Sequence, residues 1–593
     1  MKLSDFVVSF IERIGTEFVF SVTGGGAMHL NDSFSKSKKI KYIQTHHEQS
    51  AAMMSEAYSR KTGRIGVCQV TTGPGGTNAI TGLVGAWIDS IPQLIISGQV
   101  ATKDMINNKK IRQMGVQEIN IVDLVKPVTK YAVTVRDPKL IKFELEKCLD
   151  ILKSDRPGPV WIDIPLDVQT SNIDIKKIKN YKKNRKRQKK KDIDNKKIFN
   201  AINSSTRPVF VIGNGIHLSK TKKEFIKISN YFNIPVLSSW SASDIIETSH
   251  KKYIGRFGIF GDRASNFTIQ NSDLIIVLGC RLSQPQTGYN LKLFSPKSKI
   301  IYVDVDRFEI KKFKSKVKIS LNIDLKEFLV SFTSYFNKKK YPSKNKHLKW
   351  LDIANDWKSK YPVVLKKYSR NTNKVNSFYF VDYLSKLLKK DACIVTDMGT
   401  SFTCTMQTLK IKKGQRIFTS PGLAAMGYGL PGAIGASFTD KNNKHLICIA
   451  GDGGFMFNLQ ELQTIKHYKL PIKIFVICNN GYLTMKLMQK KNFQNYVGSS
   501  PKSGISCPDF TKVARAFGIK SMSIKKSRDL KKIKKIINLK DPFLCEIHMD
   551  PMQPLIPRLQ TKMTKDGKFL PTPIDNLYPF LSDKEYESNI FYK

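Results

Sequence analysis

Acidic side chains are scarce in this sequence: 48 Asp and Glu stand against 99 Lys and Arg, a formal charge of +51 over 593 residues. A surplus of that size ordinarily points to a polyanionic partner. A nucleic-acid binder also needs clustered arginine interleaved with stacking aromatics, or a helix-turn-helix, and neither is present. The excess is mostly lysine, spread over the whole length among many Asn and Ile, as an AT-rich genome supplies. No apolar run reaches membrane length. No signal peptide opens the chain either, because MKLSDFVVSFIERIG alternates charge and apolarity as an amphipathic helix does. The nine cysteines show no CxxC or Cys/His spacing, which argues against zinc and for reduced thiols, hence a cytoplasmic chain. With 41% hydrophobic residues, a chain this long forms several packed domains.

Chemistry concentrates in one stretch, LICIAGDGGFMFNLQELQTIKHYKLPIKIFVICNNGYLTM, from Leu446 to Met485. The apolar run 446–450 predicts a buried strand. Gly451-Asp452-Gly453-Gly454 follows, a turn without bulky side chains where main chain can sit against a phosphate. Asn458, with Glu461 three residues on, predicts a capping box opening a helix that runs to about Lys469. A second buried strand over 472–478 leads to Asn479-Asn480-Gly481-Tyr482. The unit is βαβ, with Asp452 and Asn479 at the carboxyl ends of parallel strands, the edge where such sheets bind ligands. An acid, an amide and the free carbonyl of Gly481 make a hard oxygen site suited to Mg²⁺ carrying a diphosphate.

The same alternation fills the rest of the chain. Strands are expected at Phe20, over 65–72 and over 94–97, with Glu48 opening one helix and the Gly73-Pro74-Gly75-Gly76 break preceding another that begins at Asn78. In the middle block, strands over 209–212, 274–278 and 300–305 end in Gly213-Asn214-Gly215, in Gly279 and in Asp304-Val305-Asp306. Further on, a strand over 393–396 runs into Asp397-Met398-Gly399-Thr400-Ser401, where hydroxyls and main chain can reach a diphosphate. The fold class is therefore α/β, as three doubly wound parallel-sheet domains. Expected boundaries are 1–173, a basic linker at 174–192, a central domain at 193–336, a connector at 337–375, a third domain at 376–550 and a C-terminal arm or lid at 551–593.

GDGG followed one helix later by NNG resembles the diphosphate-binding motif of thiamine diphosphate enzymes. The resemblance implies that Asp452, Asn479 and the Gly481 carbonyl hold Mg²⁺, with Gly453 and Gly454 beside the diphosphate. The first Asn of the family's usual pair falls at Cys478, a departure beside the ligand. HHEQSAAMMSEAYSRKTGRIGV, TTGPGGTNAITGLVGAWIDSIP and ISGQV are similar to the pyrimidine-binding domain of acetolactate synthase and its relatives. Glu48 then matches the glutamate that hydrogen-bonds pyrimidine N1′, favouring the imino tautomer whose nitrogen takes the thiazolium C2 proton. By the same resemblance Gly75 lines the cofactor, Gln117 lies near the reacting carbon with Lys130 downstream, and Met426 wedges under the cofactor. Thr400 and Ser401 reach its diphosphate. The central domain corresponds to one that binds FAD in acetolactate synthases, with Gly213, Gly215, Arg281 and Asp304 where contacts are expected. Val116 stands where the family usually has Phe, and Pro285 where it has an arginine that grips the carboxylate of a 2-keto acid acceptor. Gln284 and Gln286 flank that proline, and Lys130 or Arg263 are candidates to replace the guanidinium.

The resemblance covers residues 1 to about 550. It implies decarboxylation of pyruvate or a similar 2-keto acid and joining of the two-carbon unit to an acceptor carbonyl. The alternatives are two-carbon transfer to a keto-sugar nucleotide, which the C-terminal IPRLQTKMTKDGKFLPTPIDNLYPFL pattern suggests, and simple decarboxylation. It also implies a homodimer or homotetramer with the cofactor between chains, small-molecule partners, and neither nucleic acid nor membrane. A catalytically dead scaffold on this fold would be expected to lack Glu48, Asp452 or Asn479, and all three are present.

Overall fold

The computed structural model describes residues 1–593 except 108–109, 184–191, 339–344, 371–372, 440–444, 564–565, 567–568 and 593. Residues 184–191, the second half of the basic run 176–191 expected as a solvated linker, therefore lie outside the described residues.

Three six-stranded parallel sheets meet the expectation of fold class. The first holds β1 (Phe18–Ser21), β2 (Lys41–Gln44), β3 (Gly66–Val70), β4 (Gln93–Gln99), β5 (Tyr131–Thr134) and β6 (Val160–Pro165), in the order 2-1-3-4-6-5. The second holds β7 (Pro208–Ile212), β8 (Val236–Ser238), β9 (Tyr253–Arg256), β10 (Leu274–Leu278), β11 (Lys299–Asp304) and β12 (Val317–Asn322), in the order 12-11-10-7-8-9. The third holds β13 (Cys393–Thr396), β14 (Arg416–Phe418), β15 (Leu446–Gly451), β16 (Lys473–Cys478), β17 (Lys520–Ile524) and β18 (Phe543–His548), in the order 14-13-15-16-18-17. The first and third sheets thus share one winding, and the second has the winding of dinucleotide-binding domains. Their strands read as continuous apolar runs because helices cover both faces, as burial of every residue in β3, β7, β10, β15 and β16 shows. In such sheets the strand order reverses at one place, and the gap there opens a crevice at the carboxyl edge. Those places are β1/β3, β7/β10 and β13/β15.

The first and third sheets are joined by one hydrophobic core. Its centre is the helix Glu48–Thr62 packed on the helix Gly429–Ser437, where small residues let the axes approach. A Cβ at Gly435 would lie 2.1 Å from the Met54 carbonyl oxygen, so only glycine fits there. The same interface buries Arg60 between Glu56 and Asp89, and the Tyr428 hydroxyl donates to Glu56. Burial raises the pKa of Glu56 against the pull of Arg60.

The connector and the C-terminal segment both pack on the central domain. The connector 337–375 contains the helix Leu348–Lys360, whose Trp350, Leu351, Ala354 and Trp357 are buried in the core of the central sheet. Their spacing of one, four and seven is a helix face, which the surrounding lysines masked. The C-terminal segment, expected as an arm or lid, straps this same region. Arg263 donates to the Leu577 carbonyl at 3.1 Å and to that of Pro579, Asn266 to Ile574 at 2.7 Å, and Asn271 to Asn589 at 2.9 Å.

Candidate functional site

At the β13/β15 crevice, β15 delivers Asp452 into the first turn of a short helix, Asp452–Phe455. The carboxylate is 1% exposed and is held by main chain. Gly453 N–H donates to Oδ1 at 2.9 Å, while those of Asn479 and Gly481 donate to Oδ2 at 2.8 and 3.3 Å. Burial raises its pKa, opposed by these donors. The GDGG turn and the NNG turn are thus locked together through one side chain. Asn479 Oδ1 is buried and meets no donor. An amide oxygen left bare beside a carboxylate fits a cation better than it fits a packed interior. Gly453 and Gly454 are required by close approach: a Cβ would sit 2.3 Å from the Tyr482 ring and 2.8 Å from Asp397 Oδ2 respectively.

Asp397, at the end of β13, is the hub of the opposite wall. It accepts from Met398 N–H at 2.7 Å and from Gly427 N–H at 3.1 Å, and burial pushes its pKa up to about 7. Thr400 and Ser401 begin the helix Thr400–Thr408. Ser401 turns inward, its hydroxyl donating to the Met398 carbonyl at 3.0 Å in full burial, so it contributes main chain at the helix start. Met426 is half-buried on a loop fixed at Gly427, whose carbonyl accepts from Asn458 at 2.8 Å. Asn458 therefore forms no capping box. Its side chain is buried, accepting from Ser50 at 2.9 Å, and Glu461 accepts from His46 N–H at 3.1 Å. Polar residues that pattern as a helix start serve instead as ties to the first domain, and the helix there is Glu461–His467.

In the first domain, Glu48 is the first residue of its helix and is 9% exposed. Asn78 donates to its Oε2 at 3.0 Å. Asn78 is not a helix start: the helix begins at Pro74, and Gly73 with φ 62° precedes it. Gly75 is pressed against Thr71, where a Cβ would lie 2.8 Å from Cγ2, and Glu48 Oε1 would be 3.7 Å from that Cβ. Gln117 (φ 61°) lies over the same turn, its carbonyl 2.2 Å from where a Gly73 Cβ would be, and its side chain is exposed beside Val116, itself 86% exposed. Glu118 organises this loop by accepting from Met114 N–H at 2.9 Å and Gly115 N–H at 3.2 Å. Glu48, Gly75 and Gln117 are brought together. Lys130 is not among them: its ammonium donates to the Ser154 carbonyl at 2.6 Å, and burial lowers its pKa to about 8.

The β7/β10 crevice opens into a cavity of about 460 Å³, in the size range of small-molecule sites, to which all three domains contribute. Gly213, Gly215, Arg281 and Asp304 all line it. The two glycines of the GNG turn serve loop packing, since a Cβ on Gly213 would meet the Gly279 carbonyl at 2.1 Å. Arg281 pairs with Asp89 at 3.6 Å, and burial pushes Asp304 up to about 6. Two lining donors, Asn214 Nδ2 and Trp240 Nε1, are buried without acceptors. Pro285 occupies the first turn of the short helix Gln284–Thr287, where a missing N–H costs nothing. Gln286 is no free recognition group: its Oε1 accepts from Ser283 N–H at 2.9 Å, closing the cap. Gln284 is exposed. Arg263, which holds the C-terminal strap, is likewise committed elsewhere.

Lys486 escaped sequence reasoning. Its ammonium is buried beneath the NNG turn, donating to the carbonyls of Asn479 at 2.8 Å and Asn480 at 3.2 Å. The available signal was a lysine in the first turn of a helix, Leu483–Asn492, where the dipole disfavours a cation. Trp240 and Glu118 carried no signal, since only the fold places them.

Comparison with known proteins finds three family models along the chain. Residues 1–124 match the thiamine pyrophosphate enzyme N-terminal TPP binding domain, 195–332 the central domain and 397–547 the C-terminal TPP binding domain. Similar proteins include the acetolactate synthase large subunit of Cyanidium caldarium, 32% identical over 89% of this chain and 90% of that one. The probable acetolactate synthase large subunit of Methanocaldococcus jannaschii is 32% identical over 94% of both chains. Acetolactate synthase 2, chloroplastic, of Nicotiana tabacum is 30% identical over 94% of this chain and 84% of its own.

Proposed function

Because this chain belongs to the acetolactate synthase large-subunit family of thiamine pyrophosphate (thiamine diphosphate) enzymes, we propose that it decarboxylates pyruvate or a similar 2-keto acid and joins the two-carbon unit to an acceptor carbonyl. The observation that carries the reading is the bare, buried Asn479 Oδ1 beside a main-chain-anchored Asp452. Asp452, Asn479 and the Gly481 carbonyl are the residues to hold Mg²⁺, and through it the diphosphate. When bound, thiamine diphosphate supplies the electron sink for loss of carbon dioxide. The protein's part is orientation. Lys486 and Asp397 fix the turns on either side, Met426 supports the cofactor, and Glu48, steadied by Asn78, shares a proton at its carboxyl group with the cofactor's pyrimidine.

The assembly proposed is at least a homodimer in which Glu48 of one chain serves a cofactor held by Asp452 of the partner subunit. Support comes from apolar side chains left exposed around both half-sites: Val116 on the pyrimidine side, and Met456, Phe457, Met485, Met488, Phe493 and Val497 near the diphosphate side. The central cavity is proposed for a dinucleotide such as FAD, whose acceptor atoms would meet Asn214 Nδ2 and Trp240 Nε1. The free, mostly buried thiols suit a cytoplasmic enzyme, and among the described residues no helix is long and apolar enough to cross a membrane.

Pro285 favours a second reading for the acceptor. A proline side chain offers no donor to a carboxylate, and Lys130, Arg263 and Gln286 are committed to other partners. Loss of a bidentate contact to a carboxylate costs about 2–5 kcal/mol, a roughly thirty- to several-thousand-fold effect. A neutral acceptor such as a keto-sugar nucleotide avoids that loss. The experiment incubates the purified protein with pyruvate, thiamine diphosphate and Mg²⁺, with and without a keto-sugar nucleotide, and identifies products by mass. Its visible spectrum before incubation reports flavin. Acetolactate as the sole and efficiently made product removes the second reading, and no consumption of pyruvate or of a similar 2-keto acid offered in its place removes both.

A further inference from the structure

Cys478 stands one residue before Asn479, at the end of β16, and is aligned with His548 on the neighbouring parallel strand β18. Residues two apart on a strand share a face, so Glu546 joins the same side of the sheet. Cys478 Sγ, a Glu546 carboxylate oxygen and a His548 ring nitrogen all lie within 4.8 Å of one another. They form one wall of a cavity of about 220 Å³, with Cys507, Asp509 and Asp452 among its other lining residues.

We propose that this is a binding site for a soft or borderline divalent cation, with Zn²⁺ as its reference ion, held by Cys478, Glu546 and His548. Thiolate, imidazole and carboxylate are the donor set of such ions, whereas the adjoining Asp452/Asn479 site offers only oxygen. Tetrahedral bonds of about 2.0–2.3 Å separate ligand atoms by about 3.5 Å. The trio therefore closes on an ion by side-chain rotation, without moving the strands. Glu546 is already oriented for the task. Phe510 N–H donates to its Oε1 at 2.8 Å and the Ser523 hydroxyl to its Oε2 at 3.1 Å, and partners of this kind sharpen affinity. His548 Nε2 lies 3.1 Å from Glu546 Oε2, a contact the ion would replace. A water completes the fourth position. Binding displaces the Cys478 thiol proton to solvent. Because Cys478 adjoins Asn479, an ion here also braces the end of β16 that presents Asn479 to the diphosphate side.

The test uses the full chain, freed of metal with a chelator, then loaded with thiamine diphosphate and an excess of Mg²⁺. Co²⁺ is titrated in as a spectroscopic probe. The expected result is about one equivalent per chain with a thiolate charge-transfer band in the near ultraviolet and tetrahedral bands in the visible, unaffected by more Mg²⁺ and displaced by Zn²⁺. Cys478→Ser should abolish the charge-transfer band, and His548→Ala should weaken binding ~100-fold or more. Should Cys478→Ser fail to fold, His548→Ala, whose ring is partly exposed, decides alone. Co²⁺ that binds without a thiolate band, that Mg²⁺ displaces, or that binds His548→Ala as tightly as the parent overturns the proposal. None of these outcomes depends on turnover.

Discussion

Asp452→Ala removes the acceptor for three main-chain N–H groups at once, those of Gly453, Asn479 and Gly481, all buried. A hydrogen bond to a charged group contributes about 1.5–3 kcal/mol. Water entering the vacated space recovers part of this, so the lower end, about 4 kcal/mol for the three, is the appropriate figure. That energy orders the two turns that present Asn479 and the Gly481 carbonyl, and the same substitution deletes the charge proposed to face the cation. Affinity for thiamine diphosphate at fixed Mg²⁺ should fall about a thousandfold. Glu48→Gln is the contrasting change. Its amide oxygen still accepts from Asn78, so the pocket keeps its shape while the acidic proton is lost. Cofactor affinity should stay within about threefold and turnover should drop by ~10²–10⁴, the worth of a positioned acid–base group. Calorimetric titration of each variant with thiamine diphosphate, beside steady-state kinetics and a melting curve to verify folding, measures both quantities. Equal loss of affinity in the two variants, or unchanged affinity in Asp452→Ala, refutes this division of roles.

The subunit arrangement is tested by mixing: Glu48→Gln and Asp452→Ala chains, each inactive alone, should regain activity on reassembly because a mixed dimer holds one intact site. Mixed dimers shown to form without any activity would count against a shared site. Asp163, buried in β6 and hydrogen-bonded by Ser97, Thr134 and Gln99, has its pKa pushed up to about 7 by burial, from an ordinary value of 3.8. Between those values the folded chain keeps a proton that the unfolded chain has released. This group's contribution to stability therefore falls as pH rises from about 4 to about 7, by about 1.4 kcal/mol per unit, and then levels. Asp163→Asn should flatten that decline, measured as the difference in thermal midpoint between variant and parent at about pH 5 and about pH 7.5; parallel profiles would contradict it.

Much of this protein was written in order along the chain. Apolar runs of five or six residues ending in glycine, asparagine or aspartate specify buried parallel strands, because only sheets covered on both faces bury such runs whole. The GDGG and NNG turns point to a ligand edge because their chemistry is local: the residues proposed to bind are the residues that follow the strand ends. Glu48, Gly75 and Gln117 were singled out through the resemblance of the motifs around them, and the fold brings them to one turn. What the sequence could not show is which residues meet across elements. Asn458 and Glu461 pattern as a cap and act as ties to Ser50 and His46, more than four hundred residues away. Lys486 looks like one more lysine in a lysine-rich chain until the fold buries it under the carbonyls it holds. Gln286 reads as an available amide until its own turn claims it. Cys478, Glu546 and His548 have no ligand spacing in sequence and converge because β16 and β18 lie side by side in register. Local chemistry follows from local sequence; pairing between distant side chains is decided by strand order, and strand order exists only in the folded chain.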